Sequence, residues 1–215
     1  MPVDHDLVIF DCDGVLVDSE PLANRTLSEA FQAAGFPIGY DVCCEHMIGL
    51  SLTSCFALAE EWHGRPVPDT LLPDVRRRTQ AAIQAELQPV SGARAAVLAA
   101  AGRCCVASSS DPAKLRHSLD VTGLLPLFDG RIFSAAQVSR GKPAPDLFLF
   151  AADRMGIAPE RCVVVEDSRY GVQAARAAGM AVLGYTGGSF AADLAAEGAT
   201  VFEDMAALPA LLGYI

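Results

Sequence analysis

Two aspartates follow a short apolar segment near the start of the chain. Leu7–Phe10 is typical of a buried strand, and Asp11 and Asp13 come directly after it on a turn that contains Gly14. Side chains two residues apart point to the same side of an extended chain, so we expect both carboxylates to face one site. One carboxylate can then attack an electrophile while the other transfers a proton. By themselves these residues also fit an ordinary Asp/Gly turn.

Three later apolar segments are also followed by polar residues. Ser108 and Ser109 come after one of them, Lys142 follows the next in the loop Gly-Lys-Pro-Ala-Pro-Asp, and Glu166 and Asp167 come after the third. In an open parallel sheet, ligands bind outside the carboxyl ends of the strands, so these side chains are expected to meet the first two aspartates. Singly, each of them also fits a loop or a helix cap. Their joint order and position carry the prediction.

These residue types suit the transfer of a phosphoryl group. Asp11 is the expected nucleophile, which would form an aspartyl-phosphate, and Asp13 is the expected general acid and then general base. Lys142 would offset negative charge, and the Ser108 hydroxyl would donate to a phosphate oxygen. Carboxylates at positions 11 and 167, with a backbone carbonyl at position 13, would form the oxygen site that Mg²⁺ prefers.

The bulk composition is that of a globular protein. The chain has 215 residues, 52% of them hydrophobic, which allows one domain or a domain with an insert. A net charge of −10 argues against a nucleic-acid partner. No signal peptide and no membrane-spanning apolar run is visible, and the seven cysteines form neither a disulfide framework nor a zinc pattern. We therefore expect a cytoplasmic protein with a small-molecule partner; a monomer is favoured, and the oligomeric state stays open.

Short apolar segments alternate with helical stretches, which predicts an α/β fold with helices on both faces of a mainly parallel sheet. The six strand candidates are Leu7–Phe10, Arg103–Ala107, Arg131–Phe133, Cys162–Val165, Ala181–Gly184 and Thr200–Phe202. Between residues 19 and 87 three apolar stripes at helical spacing predict helices alone. The expected organisation is a discontinuous core, 1–18 with 88–215, and an inserted all-helical domain at 19–87.

The four polar segments resemble the four motifs of the haloacid dehalogenase superfamily, in the same order. The octet at 11–18 corresponds to the first motif, the strand that ends at Ser108 to the second, Lys142 to the third, and the segment at 166–171 to the fourth. The resemblance covers nearly the whole chain and implies a Rossmann-like core with Mg²⁺ as cofactor. It further implies a cap at 19–87 that closes over the site and selects the substrate. The metal ligands would be Asp11, Asp13 and Asp167, with Glu166 assisting through water.

Individual residues disfavour two reactions of this superfamily. Its dehalogenases lack a carboxylate two residues past the nucleophile, whereas this chain has Asp13 there. Its phosphonatases use a lysine of the cap, but the two lysines of this chain, Lys114 and Lys142, lie outside the predicted cap.

The β-phosphoglucomutases of the superfamily are a closer match. Mutases of that type carry a histidine soon after the first motif, where this chain has Ala23, and an arginine after a Gly-x-Ser of the cap, where it has Leu52. Both differences favour hydrolysis. The run Arg76–Arg78 could hold a second phosphate, although a solvated helix face is the favoured interpretation. By analogy with the cap loop of the family, the candidate substrate contacts are Gly49, Leu50, Ser51 and Leu52.

The sequence thus predicts a Mg²⁺-dependent phosphatase that hydrolyses a small phosphate monoester of a sugar, sugar acid or polyol. Ser108, Ser109 and Lys142 are the expected contacts to the phosphate. Two alternatives stay open: a β-phosphoglucomutase-like phosphomutase, and a catalytically silent metabolite-binding protein with the same fold. All four motifs retain groups suited to the chemistry, which argues against the silent protein.

Overall fold

The computed structural model describes residues 5–48, 50–100, 102–187 and 191–214. The strands described in it are β1 Leu7–Phe10, β2 Cys104–Ser108, β3 Ile132–Ser134, β4 Cys162–Glu166, β5 Ala181–Tyr185 and β6 Thr200–Phe202. They form one sheet in the order β3-β2-β1-β4-β5-β6, and every neighbouring pair is parallel. This arrangement confirms the predicted α/β class.

Among the described residues, α-helices follow one another between β1 and β2, and they alternate with the strands from β2 onward. Their bounds are α1 Glu20–Ala33, α2 Tyr40–His46, α3 Leu52–His63, α4 Leu71–Glu86, α5 Ala93–Ala99, α6 Pro112–Val121, α7 Asp146–Met155, α8 Arg169–Ala177, α9 Ala191–Ala196 and α10 Leu208–Leu211. None of these described helices has the length and apolar character that would let it cross a membrane. The chain divides into two compact units, one with residues up to Asp18 and from Gln88 onward, the other with Ser19–Leu87.

The two central strands of the sheet, β1 and β4, are buried along their whole length. Their apolar residues follow one another without alternation because helices cover both faces of a parallel sheet. The six predicted strands are all confirmed, but β2, β3, β4 and β5 each end one residue later than predicted. Ser108 and Glu166 are therefore the last residues of their strands and lie at the carboxyl edge of the sheet.

The smaller unit, residues 19–87, has a hydrophobic core of its own. Phe31 packs against Phe36 and Phe56, with ring centroids 6.1 and 6.0 Å apart. The sequence predicted three helices here, and the structure has a fourth, α2. This helix produces no apolar stripe because Cys43 is its single buried residue. Leu27 and Val75, both residues of the predicted stripes, belong to the same core, and Leu71 is buried there where the prediction had Leu72.

The arginine run of α4 takes part in ion pairs within the smaller unit. Arg77 and Arg78 both donate to Asp74, over 2.5 and 2.7 Å, and Arg78 also lies 3.5 Å from Glu29 of α1. Partly exposed pairs of this kind contribute only about 0.2–1 kcal/mol each. Through these pairs, Arg77 and Arg78 nevertheless contact carboxylates of their own unit.

Candidate active site

The carboxyl ends of the central strands bring the first and fourth motifs together. Phe10 of β1 lies opposite Val165 of β4, and the amide of Asp11 donates to the carbonyl of Val165 over 2.9 Å. Asp11 and Glu166 consequently leave the sheet side by side. The register of two apolar strands, 155 residues apart in sequence, therefore fixes the position of two carboxylates.

Lys142 joins these two carboxylates from the third motif. Its Nζ lies 2.6 Å from Asp11 Oδ1 and 2.5 Å from Glu166 Oε1. The side chains of Lys142, Asp11 and Glu166 are only 6%, 9% and 1% exposed. The Lys142 ammonium also lies 4.9 Å from the centre of the Phe148 ring on α7. We call these three charged residues the Lys142 cluster.

The Lys142 cluster holds two buried carboxylates and one buried ammonium. Burial is the largest influence on Asp11, and together with the nearby Glu166 carboxylate it raises the pKa of Asp11 from 3.8 to about 7, although Lys142 acts in the opposite direction. For Lys142, burial alone would lower the pKa, but the Asp11 and Glu166 carboxylates outweigh burial and raise the pKa above its ordinary value. The ammonium therefore stays charged, and a further cation near Asp11 would favour its ionised form.

Glu166 has a second set of partners on its other oxygen. Oε2 accepts hydrogen bonds from the backbone N–H groups of Asp167 and Ser168 and from the Ser168 hydroxyl, at 2.8–2.9 Å. Ser168 is also the N-cap of α8 and accepts from the amide of Gly171. Glu166 thus connects the Lys142 cluster to the start of α8. Both oxygens of Glu166 therefore have hydrogen-bond donors.

Asp13 is held by residues that the sequence reasoning missed. Its Oδ2 accepts a 2.6 Å hydrogen bond from the Ser110 hydroxyl, and Lys114 Nζ lies 3.0 Å from Oδ2 and 3.1 Å from Oδ1. A signal was present in the sequence, because Lys114 follows Asp111-Pro112, close behind a strand end, and this pair is typical of an N-cap with proline at the first helical position. The structure confirms Asp111 as that N-cap, since its Oδ1 accepts from two amides of α6.

The fourth motif places Asp167 against the turn that contains Gly14. A Cβ built at Gly14, whose φ is +76°, would overlap the Asp167 carboxylate, so only a glycine permits this approach. The Asp11 and Asp167 carboxylates and the backbone of the 13–14 turn therefore lie at one edge of the sheet. Among the described residues no three His, Cys, Asp or Glu side chains form a ready cluster for a metal. The donors available are two carboxylates and a backbone carbonyl, which fit a hard cation such as Mg²⁺ that retains waters.

The remaining predicted site residues have different surroundings. The buried Ser108 hydroxyl accepts from the amide of Ser110 over 3.1 Å, and Ser109 is exposed at the same edge of the sheet. Gly49 lies outside the described residues. Leu50 is exposed, Ser51 is the N-cap of α3, and Leu52 packs on the core of the smaller unit. The structure thus brings Lys142 and Glu166 to Asp11 and the segment after Ser108 to Asp13, and it gives Ser51 and Leu52 structural contacts within their own unit.

Replacement of Asp11 by Asn should stabilise the metal-free protein at about pH 8. The pKa of Asp11 is about 7 in the folded protein and 3.8 in the reference state, so its ionisation costs more in the folded protein. The destabilisation is complete at a pH above the folded-state pKa of Asp11. It disappears as the pH falls toward the unfolded-state pKa. In EDTA, Asp11→Asn should therefore have a higher melting temperature than wild type at about pH 8, and this difference should shrink toward about pH 5. The exposed-site variant Asp129→Asn is the control. Equal stability of wild type and Asp11→Asn at about pH 8 would contradict this account of the cluster.

Gly171→Ala should destabilise the protein although Gly171 is helical. Alanine ordinarily stabilises a helix interior by about 1 kcal/mol relative to glycine. Here the added Cβ would overlap the Glu166 carboxylate, which is held by Lys142 and the start of α8. We expect a loss of about 1–3 kcal/mol in urea unfolding. Gly39→Ala is the control for an added Cβ, because nothing lies within 4 Å of a Cβ there, and it should cost only the weaker N-cap preference of alanine at the start of α2. A Gly171→Ala variant as stable as wild type would show that Glu166 moves freely.

Three comparisons with known proteins found similar sequences and structures. The family model for haloacid dehalogenase-like hydrolases matches residues 5–179. The chain is 31% identical to 6-phosphogluconate phosphatase of Escherichia coli, over 95% of this chain and 93% of that protein. It is 34% identical to fructose-1-phosphate phosphatase of the same organism, over 80% of this chain and 92% of that protein.

A solved structure of a haloacid dehalogenase family hydrolase from Deinococcus radiodurans, with bound phosphate and sodium, is similar throughout. It has a TM-score of 0.85 and 33% identity, and the match covers 99% of this chain and 98% of that one. Both of these curated relatives are phosphatases, which confirms the expectation of a phosphatase of this superfamily. The order of the motifs, their meeting at the carboxyl edge of the sheet and these matches have one explanation: the chain belongs to the haloacid dehalogenase-like hydrolases.

Proposed function

We propose that this protein is a Mg²⁺-dependent phosphatase of phosphorylated sugars, sugar acids or polyols, which acts through an aspartyl-phosphate on Asp11. The observation that carries the proposal is the buried contact of Lys142 with Asp11 at the carboxyl edge of the sheet. The charged ammonium orients the carboxylate and offsets negative charge where an anionic substrate would bind. The names of the two relatives support phosphorylated sugars and sugar acids as the substrate class.

In the first half-reaction, a carboxylate oxygen of Asp11 attacks the phosphorus atom and the bond from phosphorus to the alcohol oxygen breaks. The departing oxygen takes a proton from Asp13, which is two residues further along the same turn. Lys142 and the Ser108 hydroxyl offset the charge on the phosphoryl oxygens. When bound, Mg²⁺ would be held by Asp11, Asp167 and the carbonyl of Asp13, and would supply positive charge beside those oxygens.

In the second half-reaction, Asp13 accepts a proton from water, and the water oxygen attacks the phosphorus of the aspartyl-phosphate. The bond between phosphorus and the Asp11 oxygen breaks, which releases inorganic phosphate and restores both aspartates. The same group thus gives a proton in one half and takes one in the other. This exchange leaves Asp13 ready for the next substrate.

The smaller unit, residues 19–87, is in this proposal the cap that selects the alcohol part of the substrate. The candidate contacts remain Gly49, Leu50, Ser51 and Leu52, and support comes from the exposed side chain of Leu50 at 41%. Apolar residues at these positions would favour modest selectivity among sugar phosphates. Arg77 and Arg78 pair with Asp74, which disfavours a second phosphate grip at that run and thus a bisphosphate intermediate.

Phosphate release from a panel of sugar, sugar-acid, polyol and nucleotide monophosphates tests the proposal. We expect wild-type turnover that depends on Mg²⁺ and favours sugar, sugar-acid or polyol phosphates. Asp11→Asn should lose at least about 10³-fold in kcat because it removes the nucleophile. The exposed-site variant Asp129→Asn is the matched control and should keep wild-type turnover.

Two results would contradict the proposal. Turnover that persists in Asp11→Asn would exclude Asp11 as the nucleophile. Isomerisation of β-glucose 1-phosphate with a bisphosphate primer, without phosphate release from the panel, would instead identify a phosphomutase.

A further inference from the structure

The segment after β2 makes a compact polar arrangement around the Asp13 carboxylate. Ser110 Oγ and Lys114 Nζ both contact this carboxylate, and Lys114 Nζ also lies 3.0 Å from Ser110 Oγ. The three groups therefore form a closed triangle, which we call the Asp13 triangle. Lys114 reaches both oxygens of the carboxylate, so it constrains the carboxylate plane as well as its position.

The two donors of the Asp13 triangle are themselves fixed by the core. The carbonyl of Ser110 accepts a 2.6 Å hydrogen bond from Ser134 at the end of β3, and its amide donates to Ser108 at the end of β2. Lys114 lies in the first turn of α6, where its amide donates to the N-cap Asp111. Two strand ends and a capped helix thus anchor the triangle.

The contact between Lys114 and Asp13 adds little to the stability of the fold. The side chains of Lys114 and Asp13 are 36% and 28% exposed. A partly exposed ion pair of this kind typically contributes only about 0–1 kcal/mol to the free energy of unfolding. What the contact does constrain is the direction of a carboxylate on a turn, which would otherwise rotate about two side-chain bonds.

We propose that Lys114 is a positioning residue for Asp13 in both half-reactions, with Ser110 as its support. The inference rests on the proposed function, in which Asp13 gives a proton to the leaving oxygen and later takes one from water. Both transfers need the carboxyl group within hydrogen-bond distance of a second atom, and a displacement of about 1 Å can cost a factor of about 10². Lys114 acts through Asp13 and makes no bond to the reacting atoms.

The test compares two substrates that differ in their need for a proton. A sugar oxygen requires protonation as it leaves, whereas the nitrophenolate of p-nitrophenyl phosphate departs without it. The test variant is Lys114→Met, which keeps the length of the side chain and removes its charge. The matched control is Arg116→Met, which removes an exposed cation from the same helix, α6, outside the Asp13 triangle.

With the best sugar phosphate of the panel, Lys114→Met should lower kcat about tenfold or more and leave KM within about twofold. With p-nitrophenyl phosphate, it should release a rapid burst of nitrophenolate, roughly equal to the enzyme present, followed by slow turnover. The burst is expected because the first half-reaction then needs no proton while the attack of water still needs Asp13. Arg116→Met should match wild type with both substrates.

Further variants guard against a folding defect. Lys114→Arg keeps a charged donor and should recover a large part of the lost kcat. Ser110→Ala should change the kinetics with both substrates in the same direction as Lys114→Met does. In the double variant the two losses of kcat should not add fully, because both residues hold one carboxylate.

Two results would overturn the inference. Equal losses of kcat with both substrates and no burst would show that Lys114 has a structural role alone, and wild-type kinetics in Lys114→Met would show that it has none. If instead wild type releases phosphate from neither substrate in Mg²⁺, the proposed function fails before the role of Lys114 is tested, so the two failures are distinguishable.

Discussion

The ion contacts of one buried ammonium hold the candidate site together. Lys142 lies between Asp11 and Glu166, and the three side chains are almost inaccessible to water. Removing the Lys142 ammonium would leave two buried carboxylates without a counter-charge, and breaking a buried ion pair in this way typically costs about 3–5 kcal/mol. The glycine at position 171 lets Glu166 approach, and Glu166 in turn fixes the start of α8. Sheet register brings the two carboxylates together, and the start of α8 and the position of the nucleophile then depend on one arrangement of charge.

The excess of one negative charge in the Lys142 cluster connects its structure to its chemistry. Burial raises the pKa of Asp11 to about 7, and the Glu166 carboxylate acts in the same direction. A nucleophile must be ionised, and a further positive charge at the same edge of the sheet would favour the ionised form of Asp11. The Asp167 carboxylate and the carbonyl of the 13–14 turn are suited to hold such a cation. The proposed requirement for Mg²⁺ follows from this charge balance as well as from the kind of ligands.

Much of the fold could be predicted because buried parallel strands are continuous apolar runs that differ clearly from helices. All six strands were found within one residue of their bounds, and the strand ends located the motif residues. Helix α2 was not predicted from the sequence because it buries a single residue and so shows no apolar stripe. The contact of Lys114 with Asp13 was also not predicted, since it joins residues 101 positions apart and depends on how α6 follows β2. Such contacts are set by tertiary packing and leave no periodic pattern in the sequence.

Covalent labelling of Asp11 tests the central claim most directly. A sugar phosphate with radioactive phosphorus would be mixed with the Mg²⁺-loaded enzyme, the reaction stopped in acid within milliseconds, and the protein digested. We expect the label in the peptide that contains Asp11, appearing before free phosphate and decaying as phosphate forms. Release of labelled phosphate without any labelled protein, or a label on a different residue, would contradict the claim that Asp11 is the nucleophile.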